Sequence, residues 1–318
     1  MNFEILKENK KNPRNMYSRI FTASARAAMT HILRFKKIKS AKGILLPAYI
    51  GLSHEEGSGV FDPVHETKFS YQFYKMDSTL HPDLIDLEKH LASGNFQLVF
   101  LIHYFGFSQV EIKDFMSLCH SYGVQVIEDY AHSLPLNIIP ENEIEHSRDF
   151  SIYSIHKNTT SLSGGFYIDH TGELKNYKPD LDLRIDQDAL EIFANTDISM
   201  NTINQIENYN VVASWVHQIE GISLLFNETT DCFTPLNCPI IVHHNKREEL
   251  YNILIKNNIW PTALYHRLIP QITREEFPTS HMIADNILNL PIHPGVTSNE
   301  YKAYKKILQS ACIKIFST

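Results

Sequence analysis

Three side chains stand where a parallel α/β sheet would present them to a ligand: Asp129, Ser154 and Lys157. Each closes or follows a short apolar run, and ligands in such sheets sit outside the carboxyl ends of the strands. Taken singly, each has a plain reading beside a chemical one. Asp129 comes after Val124 to Ile127 and Glu128; a carboxylate there binds a ribose hydroxyl, holds a metal or caps the next turn. Lys157 comes after Ser151-Ile152-Tyr153-Ser154-Ile155, where a lysine most often snorkels to the surface. Ser154 either donates to a phosphate oxygen or faces a neighbouring strand. The surroundings of Lys157 favour chemistry. Asn158, Thr159 and Thr160 follow it, then Ser163-Gly164-Gly165, and paired glycines let backbone approach a ligand closely.

Together the three fit pyridoxal phosphate (PLP). That cofactor needs an amine for its aldehyde and an acid that keeps its ring nitrogen protonated. It also needs a cradle for its phosphate, which a helix N-terminus supplies through its N–H groups. Ser24-Ala25-Arg26-Ala27 opens such a helix, and the small Ala25 leaves room. Arg26 either adds positive charge there or is a surface arginine. A Rossmann-type nucleotide binder without PLP is disfavoured, because no GxGxxG follows the first strand.

The elements that must position these residues are legible as alternating short apolar and amphipathic runs, the pattern of βαβ units. A helix is expected after Ser24 through Ala28, Ile32 and Leu33, and a buried strand at Gly43 to Leu46, ending at Pro47. The aromatic run Thr67 to Tyr74 reads as a strand, and Pro82 opens a helix with Leu84, Leu87 and Leu91 on one face. Leu98 to Ile102 is unbroken and apolar, as expected of a strand covered on both faces. A helix follows with Ile112, Phe115, Met116, Cys119 and Tyr122 on one side, and Gly123 sits where a left-handed cap is needed. Strands follow at Val124 to Ile127, Phe150 to Ile155 and from the glycine pair through Tyr167. In the second half, Asn204 to Phe226 reads as a long helix, Cys238 to Val242 as a strand and Arg247 to Ile255 as a helix. Ser298 caps a last helix through Ile307. A boundary near 205 is expected, giving a large domain over 1–205 and a smaller one over 206–318.

The chain has 318 residues, enough for one large and one smaller domain. Its net charge of -7 and lack of a basic block argue against a nucleic-acid partner. The short basic run Arg34, Lys36, Lys37 and Lys39 reads as a solvated helix end. The four cysteines, Cys119, Cys232, Cys238 and Cys312, form no CxxC pair; reduced core thiols of a cytoplasmic protein are expected, and no metal site. The N-terminal MNFEILKENKKNPRN has charges inside every apolar run, so no signal peptide is expected. No apolar stretch approaches the roughly 18 residues of a membrane span.

The segment Val126-Ile127-Glu128-Asp129-Tyr130-Ala131-His132-Ser133-Leu134 resembles the aspartate motif of the DegT/DnrJ sugar aminotransferase family. Asp149-Phe150-Ser151-Ile152-Tyr153-Ser154-Ile155-His156-Lys157 resembles that family's lysine motif, with Gly164-Gly165 as its glycine pair. Weaker matches keep the family's order: Ser24-Ala25-Arg26-Ala27-Ala28, Leu46-Pro47-Ala48-Tyr49, His103-Tyr104-Phe105-Gly106-Phe107 and Leu290-Pro291-Ile292-His293-Pro294. The resemblance implies the α/β fold of fold-type-I PLP-dependent transferases. That fold has a large domain with a mostly parallel seven-stranded sheet between helices, and a smaller C-terminal α+β domain. It also implies a homodimer with active sites at the subunit interface. The implied reaction moves an amino group from an amino acid, usually glutamate, to a keto-sugar carried on a nucleotide. By position, Lys157 is the Schiff-base lysine and Asp129 the partner of the ring nitrogen. His132 lies near the phenolic oxygen, Tyr49 stacks on the ring, and Ser154 with the amides of Ala25 and Arg26 holds the phosphate. Arg184 and Arg267 stand open as residues reaching a partner subunit's site. A PLP-dependent sugar dehydratase or other lyase, and a non-catalytic binding protein on the PLP fold, are the alternatives.

Overall fold

The computed structural model describes residues 19–52, 59–108, 110–133, 148–157, 159–226, 234–262, 264–293, 295–296 and 298–317. The expectations for the N-terminal segment, Leu134, Asn158, Cys232 and Pro294 lie outside these residues.

The first half alternates strand and helix. Strand β1 (Arg19–Thr22) leads into α1 (Ala25–Lys39), then come β2 (Gly43–Pro47), α2 (Phe61–Thr67), β3 (Tyr71–Tyr74) and α3 (Leu84–Ala92). They are followed by β4 (Phe96–Ile102), α4 (Ile112–Ser121), β5 (Gln125–Tyr130), β6 (Phe150–Ser154) and β7 (Gly165–Asp169). Local chemistry sets the ends. Ser24 caps α1 by accepting from the Ala27 N–H at 3.1 Å, and Lys36, Lys37 and Lys39 complement its carboxyl end. Asp83 caps α3 by accepting from the N–H groups of Ile85 and Asp86. Gly123, at φ +68°, takes the left-handed conformation after α4.

These strands form one seven-stranded sheet in the order β1-β7-β6-β5-β4-β2-β3. Strands β3, β2, β4, β5 and β6 are parallel; β7 runs against β6, and β1 against β7. The carboxyl ends of the five parallel strands therefore meet at one edge. The start of β7 and the end of β1 arrive there too, since Thr22 pairs with Gly165. One face of the sheet carries Ile127, Asp129, Phe150, Ile152 and Ser154 beneath α1, whose Lys36 lies over the Phe150 ring at 5.1 Å. On the other face Tyr130 stacks on Tyr153 at 5.3 Å, and Tyr153 on Phe166 at 4.7 Å.

The second half runs α5 (Gln187–Asn195), α6 (Ile198–Val216), β8 (Ile222–Leu224), β9 (Cys238–Val242), α7 (Arg247–Lys256), α8 (Pro278–Asn286), β10 (Ile287–Leu290) and α9 (Ser298–Phe316). Its three strands form an antiparallel sheet in the order β10-β9-β8. Helix α6 passes unbroken through residue 205.

Several elements differ from the sequence reading. The aromatic strand begins only at Tyr71, because Thr67 closes α2 and Lys68 turns the chain at φ 51°. Leu84 is exposed while Leu87 and Leu91 are buried. The long helix runs Ile198–Val216 rather than Asn204 to Phe226, and Gly221 at φ +85° leads the chain into β8. The last helix runs on to Phe316. The basic run is not wholly solvated: Lys36 is buried, bonded to Gln125 and paired with Glu173 at 2.6 Å. A buried lysine needs such partners. Cys119, Cys238 and Cys312 are buried free thiols.

The glycine pair serves the fold more directly than expected. A Cβ on Gly165 would lie 2.4 Å from the Ala25 nitrogen and 2.8 Å from the Tyr153 carbonyl oxygen. Its bare backbone lets the start of α1 sit against the sheet edge. Both neighbours are main chain and cannot rotate away, so Gly165→Ala is expected to cost about 1–3 kcal/mol through overpacking. A drop in thermal midpoint checks this; an unchanged midpoint shows that the edge can spread.

Candidate active site

Asp129 and Lys157 enter one cleft at the carboxyl edge of the sheet. Asp129 reaches it because β5 alternates faces: Glu128 and Tyr130 turn to the far side, where the Tyr130 hydroxyl donates to Glu128 at 2.8 Å. The Asp129 carboxylate is buried and accepts from the Ala131 N–H at 2.7 Å. Burial raises its pKa, while the Ala131 amide and the charges of Lys157 and His103 oppose that rise. Lys157 lies three residues beyond the end of β6. Burial pulls its ammonium down to about 8, and the Asp129 carboxylate resists the fall. The two groups thus act on each other across one space.

The start of α1 supplies the opposite wall. Ser24, Ala25 and Arg26 all line the cleft. A helix leaves its first-turn amides, here those of Ala25 and Arg26, without intrahelical carbonyls, and its dipole favours an anion there. Ser154 is fully buried and lines the same space, with its Oγ 3.0 Å from Nδ1 of His156. Arg26 is half exposed and pairs with Asp62 at 3.0 Å. Gly59 makes room for it, since a Cβ there would meet Arg26 Nε at 2.2 Å.

His132 lines the cleft from just past β5. Its Nδ1 accepts the Phe105 N–H at 3.0 Å. An amide can only donate, so the neutral ring carries its proton on Nε2 and offers that nitrogen as a donor. Burial, then the charges of Lys157 and His156, hold its pKa well below the usual histidine value, which keeps it neutral.

Seven of the eight residues expected from sequence meet here: Ser24, Ala25, Arg26, Asp129, His132, Ser154 and Lys157. Tyr49 does not reach the cleft. It is fully buried behind Tyr265, with ring centroids 5.5 Å apart and its hydroxyl donating to the Tyr265 carbonyl at 3.3 Å. Tyr265 faces the space instead, and Phe100 also lines it. Its φ of 61° is unusual for a bulky residue and is sustained by packing against Tyr49, Tyr104 and Phe105. Arg184 and Arg267 do not line the cleft. Sequence reasoning missed Tyr265, Gly59 and Val60, and gave His156 no role in the site; only the position of His156 beside Lys157 held a signal. Among the described residues no cluster of three or more His, Cys, Asp or Glu is placed to hold a metal, and no helix is long and apolar enough to cross a membrane.

Solved structures share this whole arrangement of elements. PseC of Helicobacter pylori, an aminotransferase involved in pseudoaminic acid biosynthesis, aligns with TM-score 0.77, covering 93% of this chain and 87% of its own, at 15% identity. A DegT DnrJ EryC1 StrS aminotransferase of Brucella abortus aligns with TM-score 0.75 over 92% of this chain and 86% of its own, at 15% identity. This chain has their fold. The PLP form of a Streptococcus pneumoniae protein described as a sugar aminotransferase also aligns, with TM-score 0.76 over 94% and 88%, at 13% identity. At such identities the likeness is one of fold, and it is the fold-type-I architecture of PLP-dependent transferases. No protein-family model matches the sequence, and no curated protein sequence matches it.

Within this fold the cleft offers a half-buried amine, a buried carboxylate, a neutral histidine donor and a helix-end anion cradle. Those are the groups PLP requires.

Proposed function

We propose that this protein is a PLP-dependent aminotransferase that moves an amino group from glutamate to a nucleotide-linked keto-sugar. The observation that carries the reading is the convergence of Lys157 and Asp129 on a cleft whose other wall is the start of α1. The Streptococcus pneumoniae neighbour described as a sugar aminotransferase supports the acceptor class.

Bound PLP supplies an electron sink for chemistry at the amino-acid Cα. The chain's residues do the rest. The amides of Ala25 and Arg26 and the hydroxyl of Ser154 hold the phosphate, and Arg26 adds positive charge beside it. Asp129 keeps a proton on the ring nitrogen, since an opposite charge favours the protonated form. His132, with its proton on Nε2, would donate to the cofactor's phenolic oxygen. Lys157 would hold the cofactor covalently, and its free amine would move a proton at the substrate Cα. A pKa of about 8 leaves an appreciable fraction as free base near neutrality. Tyr49, set behind Tyr265, supports the aromatic wall rather than stacking on the ring. A homodimer with sites at the subunit interface, a cytoplasmic location and a domain boundary near residue 205 belong to the same proposal.

The test is the visible absorption spectrum of the PLP-loaded protein titrated with glutamate. Transfer of the amino group shifts the band from the carbonyl form of the cofactor to its amine form. A bound cofactor whose spectrum ignores glutamate and other amino acids rejects the reading in favour of a lyase or a binding protein.

A further inference from the structure

We propose that His156 is a positioning residue that aims the hydroxyl of Ser154 at the cofactor phosphate, an inference resting on the PLP reading above. Ser154 is fully buried at the end of β6 and its hydroxyl carries a single proton. The contact of 3.0 Å between its Oγ and His156 Nδ1 can run in two directions. If the serine donates to the imidazole, its oxygen turns lone pairs toward the cleft and repels an anion. If the imidazole donates from Nδ1, the serine proton is released to a phosphate oxygen. An anion at the start of α1 therefore selects the Nδ1–H form of His156.

His156 is exposed at the rim of the cleft, beside Lys157 and within the field of Arg26; partial burial, followed by those two cations, lowers its pKa and favours a ring with one proton. The ring acts by choosing which nitrogen is protonated. It reaches the ligand through Ser154, which separates its role from those of Ser154 and the α1 amides.

Dissociation constants for PLP and for pyridoxal, which lacks the phosphate, test this by absorbance on the full-length protein. His156→Ala is expected to weaken PLP binding about tenfold or more, as for one lost hydrogen bond to a charged group, and to leave pyridoxal binding unchanged. His156→Asn, whose amide nitrogen can stand in for Nδ1–H, is expected to restore most of the PLP affinity. In a Ser154→Ala background the further change to His156→Ala is expected to have little effect, because the serine carries the coupling. An unchanged PLP affinity in His156→Ala, or an equal loss for pyridoxal, overturns the role assigned to His156. A wild-type protein that binds neither compound overturns the cofactor reading itself, and this inference with it.

Discussion

The Lys157→Ala protein is expected to lose the covalent, borohydride-reducible link to PLP and to lose turnover. On the proposed reading two functions disappear at once, because the same amine would anchor the cofactor and move the proton. Acid–base groups alone typically contribute about 10²–10⁴ in rate, so the loss should exceed that of any residue that only binds. The phosphate cradle is untouched by the substitution, since Ser24, Ala25 and Ser154 lie on other elements or on β6 itself. Non-covalent PLP binding should therefore persist. Reduction with borohydride followed by mass measurement of the intact chain checks the link. A cofactor adduct retained on the mutant chain would falsify the assignment of Lys157.

Asp129→Asn is expected to keep PLP bound but slow transfer by roughly 10- to 10³-fold, since a nearby opposite charge shifts a pKa by about 1–3 units. The amide oxygen can still accept the Ala131 N–H, so the local turn survives. What disappears is the negative charge facing the ring nitrogen and Lys157. The second consequence has a definite sign. Asp129 raises the pKa of Lys157, against the larger effect of burial that brings it to about 8. Removing the carboxylate lets burial act alone, so the limb of the pH–rate profile set by the lysine moves to lower pH. A profile at its original position, with wild-type rates, removes Asp129 from the mechanism.

Most of the cleft was readable because its members close strands. An apolar run of strand length followed by Asp129 or Lys157 places that side chain at a sheet edge. The βαβ pattern then makes the edges of β4, β5 and β6 the same edge. Ser24 announced the start of α1 by its capping chemistry, and the structure shows that cap made. Two of the element boundaries that differed, at Thr67 and Val216, precede Lys68 and Gly221, whose left-handed backbone turns the chain, and a hydrophobic pattern does not register such turns.

The sequence by itself determined the local periodicities, the caps and the spacing that sets Ser154 and Lys157 on one strand end, because these depend on residues close along the chain. Only the tertiary structure decided that Tyr265, from the second half, would form the aromatic wall and hide Tyr49 behind it. The same holds for Gly165, which yields to the backbone of α1, and for Lys36, which is buried against Glu173. Each of these outcomes is a contact between distant segments whose fit depends on shape in three dimensions, and no pattern along a single stretch of chain carries that information.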